Sequence, residues 1–196
     1  MKNRIRFIKV RDVKSPSRSN VGDAGLDFYM PSNLTTQDIL SCNLLDIISC
    51  NPLDIISCNP LKDDFHISLD DNYHVSKIIL NPHRRILIPS GIKILLEPKY
   101  SMMIACNKSG LSTKKGLIFT AQVCDSPYTG EYHIGIYNTS NESAVINAGE
   151  KIMQFVHVPI YLTEPEEITK AEFDSLADTW GTRGSNGFGS TDVEAL

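Results

Sequence analysis

No run of apolar residues in this chain is long enough to span a bilayer. The first twelve residues, MKNRIRFIKVRD, lack the apolar centre of a secretory leader. The expected location is therefore cytoplasmic, with the nucleus left open. A basic excess is also missing: 19 Lys and Arg stand against 23 Asp and Glu, a net charge of −4. That balance argues against direct nucleic-acid binding and against broad attraction to a membrane surface. A polyphosphate ligand would need a local cluster of positive groups or a metal ion. The five cysteines, at 42, 50, 58, 106 and 124, form no C-x-x-C pair, so zinc-ribbon spacing is absent. Their odd number suits reduced thiols. A P-loop is missing too, since no Gly-x-x-x-x-Gly-Lys-Ser/Thr occurs.

What the chain does have is a succession of short, β-branched apolar stretches. They cover 5–10, 76–80, 85–89, 92–96, 100–106, 117–124, 132–138, 143–146 and 152–160. The breaks fall at Asn81-Pro82, Pro89-Ser90-Gly91, Glu97-Pro98, Gly130 and Gly149. This rhythm predicts an all-β sandwich or barrel. One short helix is expected over 164–178. With 196 residues, the chain has room for one domain carrying an insertion.

Residues 41–64 repeat with a period of eight: SCNLLDII, SCNPLDII, SCNPLKDD. Eight fits neither a heptad nor a helical turn, and three short copies cannot build a solenoid core. The plain reading is a tandem duplication in a tolerated surface insertion, placed over 33–75. Soft-metal binding by Cys42, Cys50 and Cys58 is the less favoured alternative. Ile47, Ile48, Ile55 and Ile56 make the segment apolar enough to pack on the barrel, on a neighbouring subunit or on a protein partner.

Five short elements carry the chemistry. They are Ala24-Gly25-Leu26-Asp27, Lys108-Ser109-Gly110-Leu111-Ser112, Asp125-Ser126-Pro127-Tyr128-Thr129-Gly130, Gly149-Glu150-Lys151-Ile152-Met153-Gln154, and the Gly- and Ser-rich tail from Arg183 to Thr191. Each alone reads as a turn, a solvated Asp or a linker. In this order, with sixteen residues from Ser109 to Asp125, they resemble the five motifs of the trimeric dUTP pyrophosphatase (dUTPase) family. The resemblance covers nearly the whole chain outside about 33–75.

The resemblance implies a dUTPase-like β-barrel or jelly-roll (β-clip) subunit over 1–180. A flexible, swapped C-terminal arm, 181–196, would close over an active site. It implies a homotrimer that hydrolyses dUTP to dUMP and pyrophosphate, limiting uracil in DNA and supplying dUMP for dTMP synthesis. Hydrolysis at the α-phosphate needs an in-line water, a group to aim and deprotonate it, and neutralisation of four phosphate charges. Asp125 is the implied base. Lys108, Ser109 and Gly110 would hold phosphate oxygens, with Lys108 where the family usually has Arg, a point charge in place of a fork. Gln154 matches a polar contact near the α-phosphate and the water. Asp27 would meet Mg2+ through water.

Tyr128 would pack under the deoxyribose and exclude a 2′-hydroxyl. Backbone groups around Gln122, Val123, Cys124 and His133 would pair with the uracil edge, although Thr120 and Gln122 stand where small Gly residues are usual. In the arm, Arg183 would bind the γ-phosphate and Phe188 would stack on the base. Gly189 would let the backbone approach, and Ser190 would donate a hydroxyl. Asn107 replaces a usual Pro and is read as a change of stiffness.

Three alternatives remain. A dCTP deaminase of the same fold would need a Glu on the return strand, where Gly135 stands. A dUTPase-like regulatory binding module would use the insertion. A Cys124–His133 nucleophilic pair is the third.

Overall fold

The computed structural model describes residues 3–43 and 63–181. The chain forms two compact units, Met1–Tyr161 and Leu162–Leu196. The first is the barrel, so 162–180 groups with the second unit, while the sequence reading had assigned it to the barrel.

Among the described residues, eleven strands build the first unit. In chain order they are β1 (Arg4–Lys9), β2 (Gly25–Tyr29), β3 (Phe65–Leu69), β4 (Val75–Leu80), β5 (Arg85–Glu97), β6 (Ser101–Cys106), β7 (Leu117–Phe119), β8 (Val123–Asp125), β9 (Glu131–Asn138), β10 (Ala144–Asn147) and β11 (Lys151–Pro159). They pair antiparallel in three sheets ordered β1-β5-β9-β7, β10-β4-β3 and β2-β11-β6-β8. Among the described residues of this unit, two helices accompany them, α1 (Thr36–Asn43) and α2 (Ser109–Lys115).

Alternation decides which residues go inside. Along β9, Tyr132, Ile134 and Ile136 point inward, and Phe28, Phe155, Ile86 and Ile88 meet them from other strands. Each such side chain contributes about 1.5–3 kcal/mol by leaving water. An exposed pair such as Arg6–Glu97 is worth about 0–1 kcal/mol. Burial therefore sets the architecture.

Three local departures from the sequence reading matter for the site. First, the two stretches 85–89 and 92–96 form one strand, β5. Its first half pairs with β9 and its second half with β1, and the β9 register shifts between Pro89 and Lys93. Gly91 makes the shift possible, with φ of +73° and no space for a Cβ, which would lie 2.9 Å from Val13. Second, 117–124 is not one strand. It splits into β7 and β8, which belong to different sheets, and Thr120–Gln122 cross between them. The crossing is pinned by Thr120 N–H to Gly135 O (3.1 Å) and Ala105 N–H to Gln122 O (2.7 Å). Third, the span 33–75 is partly core: Leu34, Ile39, Phe65 and Val75 are buried, and β3 is a full sheet member. The repeats at 44–62, including Cys50 and Cys58, lie outside the described residues. Cys42, Cys106 and Cys124 are free thiols.

In the second unit, α3 (Lys170–Trp180) begins at a capping box in which Thr169 and Glu172 satisfy each other's backbone N–H groups. It starts later than the expected 164–178 because Thr169 supplies the cap. Among the described residues, no helix is long and apolar enough to cross a membrane.

Candidate active site

Asp27 lies near the middle of β2, facing Gln154 of β11, which in turn pairs with Cys106 of β6. This register brings the first, second and fourth motifs to one cleft of about 420 Å3, lined by Ser19, Asp23, Gly25, Asp27, Lys108 and Gln154. Asp27 is only 4% exposed. Its Oδ1 accepts from Lys108 Nζ, and its Oδ2 lies 2.8 Å from Lys151 Nζ and 3.1 Å from Ser19 Oγ. Lys151 also donates to Ser19 Oγ at 2.8 Å. Burial alone would raise the Asp27 pKa, but the bonds from Lys108, Lys151 and Ser19 outweigh it and hold the carboxyl below its ordinary value.

Lys151 was not singled out from the sequence, and a physical reason explains why. Positions 151 and 154 fall on opposite faces of a regular strand. Here β11 carries a bulge between Lys151 and Met153, so Lys151 pairs with Tyr29 and Gln154 with Asp27. Tyr29 and Asp27 share a face, and directly opposed residues do as well. The bulge thus returns Lys151 to the cleft.

Around Lys108, α2 starts abruptly. Lys108 O accepts from the N–H groups of Leu111 and Ser112, each at 2.9 Å, which leaves Ser109 and Gly110 in the first turn of the helix. Gly116 ends the helix in the left-handed conformation, φ +66°. Asn107 proves to be more than a change of stiffness. Its Oδ1 accepts from Phe119 N–H (3.0 Å) and its carbonyl from Gln154 Nε2 (2.9 Å), tying the second motif to β7 and to the fourth. Gln154 also folds over Gly25, where a Cβ would meet its Oε1 at 2.5 Å.

The third motif lies elsewhere on the same chain. Asp125 pairs with Met102, four residues down β6 from Cys106. At about 3.3 Å per residue that is about 13 Å along the strand from Gln154's partner. The Asp125 side chain is exposed, and its carbonyl accepts from Tyr128 N–H at 3.1 Å, closing the turn. Tyr128 folds back over Gly130, where a Cβ would come within 2.6 Å of the ring carbon that bears the hydroxyl, and its hydroxyl donates to Glu131 O at 2.8 Å. β8, with exposed Val123, is an edge strand that among the described residues pairs with β6 alone. The structure therefore brings Asp27, Lys108 and Gln154 together, with Ser109 and Gly110 following Lys108 in the chain, and keeps Asp125, Tyr128 and His133 apart from them. Arg183, Phe188, Gly189 and Ser190 lie outside the described residues.

The sequence model of the dUTPase family matches residues 65–192. The chain belongs to the dUTPase family. Among relatives named deoxyuridine 5′-triphosphate nucleotidohydrolase, that of Finegoldia magna is 39% identical over 118 residues, covering 59% of this chain and 77% of that protein. That of Bartonella henselae is 34% identical over 116 residues, and the match spans 58% of this chain and 62% of the relative's length. The fold is shared with a variant dUTPase of Staphylococcus bacteriophage 80alpha bound to dUpNHpp, at TM-score 0.64 and 18% identity, over 97% of this chain and 99% of that one. It is shared also with a variant dUTPase of phage phi11 of S. aureus, described for its coordination of a structural Mg(II) ion, at TM-score 0.58 and 16% identity, over 86% and 98% of the two chains.

One departure from the family pattern becomes intelligible. Thr120 stands where a small residue is usual, and its hydroxyl occupies the space over Gly135, only 2.2 Å from where a Cβ would sit. The small residue has in effect moved across to β9. That same contact leaves no room for the return-strand Glu of a deaminase.

The Cys124–His133 pair fails on two counts. His133 Nδ1 bonds to Glu131 O (2.9 Å). Burial, followed by the charge of Asp125, pushes the Cys124 thiol up to about 11 from 9.0. Two units leave about 100-fold less thiolate at neutral pH than an ordinary cysteine has. Iodoacetamide should thus label Cys124 slowly at pH 7.5 and faster only as pH approaches 11, by mass spectrometry of the peptide. Rapid labelling at neutral pH would contradict the assigned environment.

A resident magnesium does not fit the described residues. No three His, Cys, Asp or Glu groups converge, and both Asp27 oxygens are held by ammonium groups.

Proposed function

We propose that this dUTPase-family chain hydrolyses dUTP to dUMP and pyrophosphate, in a pocket shared between copies of a trimer. The observation that carries the reading is the cleft in which Lys108, Lys151 and Gln154 converge around Asp27. An acidic chain there concentrates two ammonium groups where a triphosphate needs them. Asp27 keeps both cations in place before substrate arrives. Phosphate oxygens then compete for Lys108 and Lys151, assisted by the first turn of α2 at Ser109 and Gly110.

The carboxylate of Asp125 aims a water at the α-phosphorus. A P–O bond forms to that water, the bond to the bridging oxygen breaks, pyrophosphate leaves, and Asp125 takes the proton. Gln154 orients the α-phosphate. Tyr128 packs under the sugar, and main-chain groups near Gln122, Val123, Cys124 and His133 meet the uracil edge. Because Asp125 is about 13 Å of strand away from the cleft on its own chain, the base is supplied to a neighbour's cleft. The exposed edge strand β8 is the surface available for that docking. The arm, with Arg183 and Phe188, closes the pocket. Magnesium is kept in the proposal as part of the substrate, travelling with the triphosphate, and Asp27 is the carboxylate it would meet.

Pyrophosphate release with dUTP, dCTP, dTTP and UTP, with and without magnesium, tests this. dUTP should be turned over at least 100-fold faster than dCTP, a margin within reach of a site that pairs the base edge, and faster than UTP through the Tyr128 ring, and no substrate should release ammonia. Ammonia from dCTP would overturn the reading in favour of deamination.

A further inference from the structure

Helix α1 enters the repeat segment, yet its described residues are tied to the barrel at both ends. At its start, Thr35 and Asp38 form a capping pair. Asp38 Oδ2 accepts from Thr35 N–H (2.8 Å) and Oγ1 (2.7 Å), and Asp38 N–H donates to Thr35 Oγ1 (3.2 Å). At its end, the Asn43 side chain imitates a strand peptide. Its Oδ1 accepts from Leu87 N–H (2.8 Å) and its Nδ2 donates to Leu87 O (2.9 Å). Among the described residues, the first half of β5 has no strand on that side, since β1 pairs only from Ile92 onward. Asn43 takes up the N–H and C=O that Leu87 presents there.

The remaining oxygen of Asp38, Oδ1, accepts from Arg11 Nη1 at 2.8 Å. Arg11 presents its other edge to Glu131 as a fork, Nε to Oε1 at 2.8 Å and Nη2 to Oε2 at 3.3 Å. Gly91 N–H, freed by the β5 bulge, adds a third bond to Glu131 Oε1 at 2.7 Å. All three side chains of this relay are at most about a quarter exposed, at 22% for Arg11, 26% for Asp38 and 15% for Glu131, so solvent screens them incompletely. Glu131 in turn offers its carbonyl to the Tyr128 hydroxyl (2.8 Å) and to His133 Nδ1 (2.9 Å). A continuous polar path thus runs from the insertion helix to the turn that carries the sugar-facing ring.

We infer that Asp38, acting through Arg11 and Glu131, is a positioning residue that holds the Tyr128 turn in register for discrimination at the sugar 2′ position. The inference rests on the dUTPase reading above. Its logic is geometric. The fork on Arg11 fixes the orientation of Glu131, and Glu131 fixes the hydroxyl end of a ring whose position decides whether a 2′-hydroxyl fits. Loosening the ring costs discrimination before it costs fold, because the core beneath it is untouched.

The test compares kcat/KM for dUTP and UTP in the full-length wild type, Asp38→Asn, Tyr128→Phe and the double variant. Each single variant should lower the dUTP/UTP ratio about 3- to 10-fold. The double variant should be no worse than the more affected single one, since both cut the same path. Hydrogen exchange at 126–130 should quicken in Asp38→Asn. Arg11→Lys, which keeps the charge and loses the fork, should reproduce the effect and serves as a second probe if Asp38→Asn fails to fold. A wild-type ratio in Asp38→Asn or Arg11→Lys, or multiplicative losses in the double variant, would overturn the inference while leaving the dUTPase reading intact. A wild type that ignores dUTP would bring down that reading itself.

Discussion

Asp125→Asn should lower kcat for dUTP by about 10²- to 10⁴-fold, the usual range for removing a positioned general base. Binding of the imido analogue dUpNHpp should change little, because the amide has the same shape and, in the proposed pocket, Asp125 addresses the attacking water while Lys108 and Lys151 hold the phosphates. The Asp125 side chain is exposed. The barrel therefore loses no buried partner, and melting should match wild type. Stopped-flow turnover with parallel calorimetry separates the two quantities. Near-wild-type kcat would remove Asp125 from the chemistry, and a parallel loss of binding would make it a phosphate or base contact instead.

The second large effect concerns assembly. Asp125 and the cleft are separated along β6, so two crippled chains carry complementary defects: Asp125→Asn keeps an intact cleft, and Lys108→Ala keeps an intact base. Each alone should be nearly inactive. Denatured together in equal amounts and refolded, they should recover about one quarter of wild-type activity, since in the proposed trimer each pocket would draw its base and its cleft independently from two copies. Refolding each variant separately and mixing afterwards, without exchange, should recover nothing. A co-refolded mixture as inactive as its parts would mean that each chain builds its own pocket.

Much of this was legible in the residues. The alternation of Tyr132, Ile134 and Ile136 is a strand pattern by itself, and the broken run of short apolar stretches allowed little besides an antiparallel β fold. The motif order likewise pointed to Asp27, Lys108 and Gln154 as one polyphosphate-facing set. The register of β2, β11 and β6 brings these three to a single cleft.

Other features were hidden because they depend on how strands are offset. Lys151 reaches the cleft only through a bulge, and nothing in Gly149–Gln154 announces which residue will be left unpaired. The split of 117–124 across two sheets is invisible to a pattern that stays apolar throughout. The exchange of volume between Thr120 and Gly135 involves residues fifteen apart in sequence. Arg11, Asp38 and Glu131 are ordinary charged residues until folding places them within bonding distance.

Local alternation therefore settled the fold class, because it depends on near neighbours along the chain and on which face must leave water, while the resemblance of the ordered motifs supplied the expectation for the site. Strand offset, bulge position and the contacts of α1 were decided only in three dimensions. Such contacts join residues far apart in the chain, as Arg11 to Asp38 and Ser19 to Lys151. No local propensity encodes which residues face each other across such separations, and the packing of the apolar core selects the register.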